Sequence, residues 1–298
     1  MTITLKQLQY FLEIANQNSI SAAAEKLNMS QPPLSAQLKM LEGELDTQLF
    51  ERRKHRMVIT EAGIKLRDRA EQILSLVDHT TQSIRNMNDS TGGTIRIGAL
   101  TTACLQLLPE KAKQFLKIYP NVNFIIQETS TQRIGELVKN GIIDIGFIRE
   151  PFNTDQFNSV RITNTYPEFL DDKMVAIGVP SFFKNIKSET IDFTQLSGIP
   201  LIIFGTYLEL FSNISAKTKT ELKIICRNDN LISQIGWAVN GIGVALLPRS
   251  SLTLMQLFKS NLIIKTIVNP YIPANILIIT DKDISNSPIV ERFIKFFI

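Results

Sequence analysis

The chain has only two cysteines, Cys104 and Cys226, far apart and without a histidine beside either. That excludes a zinc site built on cysteine pairs and argues against a disulfide scaffold. No motif supports a redox pair, so the expectation is two buried thiols in a reducing compartment. Histidine is as scarce: His55 and His79 are the only two, both in the N-terminal third. Histidine-dependent catalysis is therefore unavailable to the rest of the chain. No carboxylate pair in an acid–base setting, Ser-His-Asp set or phosphate-binding glycine loop stands out. The expectation is a protein that is not an enzyme, with no catalytic residues, no metal and no cofactor. Long apolar runs are also missing, none approaching the roughly 18 residues of a membrane helix. The opening MTITLKQLQYF has Gln7 and Gln9 inside its apolar pattern. It lacks the charged start and small-residue cleavage site of a signal peptide. The expected location is cytoplasmic, with no membrane partner.

Charge of one sign is scarce too. The net charge is +4 over 298 residues, which permits nucleic acid without demonstrating it. Residues 1–90 carry eleven Lys and Arg against eleven Asp and Glu. Within this neutral segment, however, Arg52, Arg53, Lys54 and Arg56 fall within five positions. Contact with a phosphate backbone must come from such a local patch.

What is present is length and patterned hydrophobicity. The chain suffices for two or three domains, and its 44% hydrophobic content supports large cores. Leu5, Leu8, Phe11, Leu12 and Ala15 have helical spacing. Ser19 and Ser21 are candidate caps of a second helix through AAAEKL. After a break at Asn28–Ser30, Ser30 is the expected cap of a third helix, with Pro32 and Pro33 in its first turn, where amides have no helical partner. Leu34, Leu38, Leu41 and Leu45 form its buried stripe. Gln31, Ser35 and Lys39 then share the opposite face at i, i+4 and i+8. Glutamine can pair bidentately with adenine in the major groove, and serine and lysine suit bases or phosphates. FERRKHRMVIT reads as two extended pieces around a basic turn: a solvated hairpin tip, or a wing reaching phosphate or a narrow minor groove. Its place after a candidate recognition helix favours the wing. No role is assigned to His55.

Thr60 is the expected cap of a helix from Glu61 to about Asn88. Leu66, Ala70, Ile73, Val77, Thr80, Ile84 and Met87 alternate spacings of four and three, a coiled-coil seam. With polar flanks, a helix from a second copy is the expected partner. Thr91, Gly92 and Gly93 are expected to break the helix as a hinge. Strand–helix alternation follows. TIRIGAL, VNFIIQE, IIDIGFI, MVAIGV, PLIIFG, LKIIC, GVALLP and ANILIIT read as strands of an α/β system, long enough for two similar lobes. Ligands of such folds sit outside the carboxyl ends of strands, at helix N-termini.

The string AAAEKLNMSQPPLSAQLKMLEGEL, then LFERR, then TEAG resembles the N-terminal signature of LysR-type transcriptional regulators. The motif-level match covers about residues 5–65. The remainder resembles the family in strand–helix layout and in strings such as GIIDIGFI and NGIGVALLP. The resemblance implies an α plus α/β chain. A winged helix-turn-helix would span 1–60, a dimerisation helix 61–89, a hinge 90–93 and an effector-binding domain 94–298. That domain would resemble periplasmic solute-binding proteins, with two Rossmann-like lobes at 94–164 plus 268–298 and at 165–267. Implied partners are double-stranded promoter DNA at dyad sites, a small-molecule effector, RNA polymerase if the protein activates, and further copies forming a dimer and a tetramer. Carried over by position, Ser30, Gln31, Pro32, Pro33, Ser35, Gln37 and Lys39 lie on the recognition helix, and Arg52 and Arg53 begin the wing. Many relatives have arginine where this chain has Ala36, which removes a potential contact. In the effector cleft the expected residues are Thr101 and Thr102, Ser130 and Thr131, Arg149, and Phe204 to Thr206. Helix-start hydroxyls and amides suit an anion, whereas Glu128 near the mouth suits a cation or polar amine; the effector's charge stays open. Arg149 either neutralises an anionic ligand or pairs with Glu150. Plain helix capping is the alternative for the hydroxyls. Two other functions compete: a solute-binding protein with a vestigial N-terminal domain, against which the missing signal peptide counts, and an enzyme.

Overall fold

The computed structural model describes residues 3–53, 56–85, 92–165, 167–258, 261–283 and 287–298. It falls into two compact units: Met1–Asn88 with Asn140–Ile142, and Asp89–Lys139 with Ile143–Ile298.

In the first unit, α1 (Leu5–Gln17), α2 (Ile20–Lys26) and α3 (Gln31–Glu44) precede a hairpin of β1 (Phe50–Arg53) and β2 (Arg56–Ile59). α4 (Glu61–Arg85) follows. Thr4 caps α1 through a box with Gln7, and Ser19 caps α2 by accepting from Ala22 N. The other candidate cap, Ser21, instead donates to Gln31 at 3.1 Å. Ser30 holds the extended N-cap backbone of α3, but its side chain makes no cap hydrogen bond. Phe11, Ile14, Ala23, Leu34, Leu38 and Leu41 form the core, so the small residues of α2 allow close packing among the three helices. Glu42 locks α3 to the hairpin: its Oε1 accepts from Leu49 N at 2.8 Å and Phe50 N at 3.3 Å. Lys54 and His55 lie outside the described residues, as do Met87 of the expected seam and Ser90 and Thr91 of the expected hinge.

In the second unit, β3 (Gly92–Ala99), α5 (Leu108–Leu116), β4 (Asn121–Glu128), α6 (Thr131–Lys139), β5 (Ile145–Arg149) and β6 (Phe157–Arg161) come first. After α7 (Pro167–Leu170) come β7 (Met174–Gly178), β8 (Thr190–Asp192), β9 (Pro200–Phe204), α8 (Leu208–Thr218) and β10 (Lys223–Asn228). α9 (Leu231–Val239), β11 (Val244–Pro248), β12 (Ile263–Val268), β13 (Ile276–Asp281) and α10 (Pro288–Ile294) complete the chain. One sheet has the order β4-β3-β5-β13-β6 and the other β10-β9-β11-β7-β12-β8. Each contains three parallel strands, with the earliest of the three in the centre, flanked by an antiparallel strand. Strands β3, β5, β7, β9 and β11 are apolar and mostly buried, as sheets covered on both faces require. Each sheet has its own core, around Phe115, Phe147 and Phe293 in one and Phe193, Ile203 and Phe211 in the other. The chain passes between lobes twice, after β6 and after β12. Gly92 and Gly93, expected as a hinge, open β3 and pair with Asn121 and Val122; the ladder to β4 extends the strand through both glycines.

Candidate functional site

Two places collect the expected residues. The first is the outer face of α3. Ser30, Gln31, Pro32, Pro33 and Lys39 are exposed, Ser35 and Gln37 half-buried, and Leu34, Leu38 and Leu41 buried on the opposite face. Met40, which sequence reasoning passed over, is 54% exposed beside Lys39. Arg52 and Arg53 end β1, where their backbones pair with Met57 and Arg56. Such an arrangement offers a polar helix face with a basic strand end adjoining it in sequence.

The second is the cleft between the two lobes of the α/β unit, at the carboxyl ends of their parallel strands. After β3 the chain enters a helical turn at Thr101 and Thr102, then a π-helical stretch, Ala103–Leu107, before α5. Thr101 donates to Glu128 at 2.5 Å. Ser130 accepts from Arg133 N at 3.4 Å, a cap of α6. An outer chamber of about 610 Å³ is lined by Ser130, Phe204, Thr206, Glu209, Arg227 and Asp229, among others. Phe204 also lines a smaller inner cavity of about 50 Å³ with Thr101, Thr102, Arg149 and Tyr207. Thr131 does not line either space; it is buried, and its hydroxyl accepts from Arg149 N at 3.4 Å.

Arg149 pairs with Asp172 rather than with Glu150. Both side chains are almost wholly buried, and Asp172 lies in the first crossover. Arg149 also donates to the Ala274 carbonyl in the second crossover, to Thr102 at 2.9 Å and to Ser250 at 3.1 Å. Asp172 accepts from Ser250 Oγ at 2.5 Å and Ser250 N at 3.0 Å. Asn275 accepts from Asp172 N at 3.2 Å and donates to Glu150 at 2.8 Å. A buried ion pair survives when hydrogen bonds satisfy its remaining atoms, and this network does so while joining both lobes and both crossovers. Asp172, Ser250 and Asn275 were invisible in the sequence because their partners lie up to 125 residues away. Burial raises the Tyr207 hydroxyl to about 12. Burial, reinforced by Glu128, raises the Cys104 thiol to about 11.

Comparison with known proteins agrees over the whole chain. Residues 5–64 match the bacterial regulatory helix-turn-helix protein, lysR family, and residues 88–298 the LysR substrate binding domain. A probable RuBisCO transcriptional regulator of Thalassiosira pseudonana is 30% identical over 300 residues, covering 98% of this chain and 96% of that protein. The transcriptional regulator BsdA of Bacillus subtilis (strain 168) is 29% identical, covering 82% of this chain and 83% of that protein. Full-length CbnR complexed with its target DNA shares the fold, with a TM-score of 0.73, 21% identity and 99% of each chain covered. These relatives are transcriptional regulators, and the matched domains are regulatory. The chain belongs to the LysR family of DNA-binding transcriptional regulators, with an N-terminal helix-turn-helix and a two-lobed effector-binding domain.

Proposed function

We propose that this regulator reads dyad promoter sites through α3 and the following hairpin and responds to a small molecule held in the interlobe cleft. The observation that carries the first half is the exposed polar face of α3 opposite its buried leucine stripe. Gln31, Ser35 and Lys39 contact base edges and flanking phosphates, Ser30, Pro32, Pro33 and Gln37 shape the helix start and its fit, and Arg52 and Arg53 contact the backbone. The proposed boundaries are 1–60 for the DNA-binding domain, 61–89 for the linker helix, and 94–164 plus 268–298 and 165–267 for the lobes. The protein works in the cytoplasm, where its DNA is, and contacts RNA polymerase when it activates.

In the cleft, Thr101, Thr102, Ser130, Phe204 and Thr206 surround the effector, supported by their place around the two spaces. Arg149 and Thr131 act from behind this surface, through the buried network. Self-association to a dimer is supported by Ile73, Leu76 and Val77, which are exposed on α4. Assembly to a tetramer is supported by exposed isoleucines on the edge strands β4 and β10.

The test is titration of purified protein against labelled DNA from upstream of its own gene, with an unrelated duplex as competitor and salt varied. Tight binding that survives competitor is expected. Binding to every upstream and control duplex alike would overturn the reading.

A further inference from the structure

Tyr207 ends the short 3-10 turn that leads into α8. Its side chain is 7% exposed, and its ring packs against Phe204 and Phe211 with centroids 6.2 Å away in each case. Among the described residues the fully buried side-chain atoms left without a partner are Thr165 Oγ1, Gln234 Oε1 and Ser251 Oγ, and the Tyr207 hydroxyl is not one of them; it can donate into the cavity that it lines. Tyr207 lines the inner cavity, whose walls include Leu100, Phe204, Leu231 and Pro248.

The polar inventory of this cavity is unusual. Arg149 stands at its back, but its charge is matched by Asp172, and its two terminal nitrogens donate to Asp172, Ala274, Thr102 and Ser250. Thr102 accepts from Arg149 and keeps its own hydroxyl proton to donate. Thr101, also in its wall, already donates to Glu128, so the hydroxyl protons left to donate are those of Thr102 and Tyr207. With its ionisation pushed up to about 12, Tyr207 is a protonated donor at neutral pH. A carboxylate entering here loses its hydration and finds no uncompensated cation, because the Arg149 charge is balanced by Asp172.

We infer that the inner cavity recognises an uncharged carbonyl oxygen on an apolar body, with the Tyr207 hydroxyl as its hydrogen-bond donor. This rests on the cleft being the effector site. The anion suggested by the helix starts is displaced by the neutrality of the Arg149–Asp172 pair. Phe204 borders both spaces, so the rest of the ligand extends into the outer chamber towards Glu209, Arg227 and Asp229.

The test uses two matched pairs, benzamide with benzoate and butanamide with butyrate, titrated into the full chain at about pH 7.5, where both acids are ionised. Binding is followed by calorimetry and by saturation transfer to the ligand. The amide of each pair is expected to bind at least about tenfold more tightly than the acid. Tyr207→Phe, which removes one oxygen from a buried ring, is expected to weaken amide binding about tenfold, the effect of one lost hydrogen bond. Acids binding as well as amides, amides failing to bind, or amide affinity unchanged in Tyr207→Phe would each overturn the inference. The wild-type preference decides the charge argument even if the variant folds poorly. Thr206→Trp, which narrows the outer chamber, separates the two levels. Acid binding that it blocks overturns the carbonyl assignment and keeps the cleft as the effector site. Acid and amide binding that it leaves untouched overturns both.

Discussion

A Cβ on Gly63 would sit 2.3 Å from the Leu49 carbonyl oxygen and 2.6 Å from the Ile59 side chain. The same carbonyl accepts from Thr60 N at 2.9 Å. Thr60 caps α4 by accepting from Gly63 N at 3.0 Å, while its hydroxyl donates to Gln48 O at 2.8 Å. The TEAG string is thus a close junction between hairpin and helix, and glycine is there because backbone occupies the space. Gly63→Ala is expected to destabilise the DNA-binding domain by about 1–3 kcal/mol, the range of overpacking, seen as a lower thermal midpoint. A midpoint equal to wild type would mean that the junction yields at no cost. Cys104 gives a residue-scale prediction of the opposite kind, a lack of reactivity. Burial and Glu128 both disfavour its thiolate, raising the thiol to about 11. An acid whose ionisation is raised by folding contributes its stabilisation below its unfolded value near 9, and loses it as pH rises through about 11. Cys104 should therefore react slowly with iodoacetamide at about pH 8 in the native chain and fast after unfolding. Mass spectrometry of the tryptic peptide measures both rates, and equal rates would refute the shielding.

At the scale of elements, α1 to α6 and most strands of this chain were legible because each has a local signature, whereas the later helices were not placed from the sequence. The stripe Leu34, Leu38, Leu41 and the strings TIRIGAL and GVALLP match buried faces of α3, β3 and β11. Strands β6, β8 and β12 carried weaker signals. FNSVR exposes four of its five residues, TID has three residues, and IIKTIV includes a buried lysine, Lys265, which donates to the Ser188 carbonyl. Their strand character comes from the neighbours they pair with. The cleft shows the same division. Helix starts at Thr101 and Ser130 follow from strand–helix alternation, whereas the partner of Arg149 is set by the crossovers and cannot be read from adjacent residues. That partner yields a prediction. Asp172→Asn leaves Arg149 as an uncompensated buried charge and should destabilise the regulatory domain by about 3–5 kcal/mol. Denaturant unfolding of the full chain would show this as an early transition, and an unchanged transition would make the pair dispensable. On α3 and the wing, Gln31→Ala should change preference between sites, whereas Arg53→Ala should weaken binding to all sites and lower the salt dependence by about one phosphate contact. Equal and uniform losses from both changes would remove that division of labour.

At the scale of the whole molecule, the question is how a nearly neutral chain holds a specific site. α4 divides along its length. Leu66, Ala70 and Leu74 join the core of the DNA-binding unit, so the first part of the expected seam is used within one chain. On another face, Ile73, Leu76 and Val77 are 43%, 42% and 37% exposed, with Ile64 nearer the helix start also 42% exposed; the three form an i, i+3, i+4 patch. The side chain of Ile84 and the whole of Met87, which would extend the seam, lie outside the described residues. With a net charge of only +4, affinity cannot come from a diffuse field; local contacts supply it, and the proposed dimer adds a second reading head. Tethering a second head turns its binding into an intramolecular step, raising affinity by roughly a hundredfold to ten-thousandfold without new contacts. The double change Ile73→Asp, Val77→Asp places like charges on this patch in both copies, so the dimer should dissociate. Sedimentation velocity should report a monomer, and affinity for a full dyad should fall at least about a hundredfold, while affinity for an isolated half-site stays within about twofold. The half-site serves as the folding control, because a misfolded reading head would lose both. If the double variant sediments like the parent and keeps its dyad affinity, the dimer is held elsewhere and α4 is a spacer.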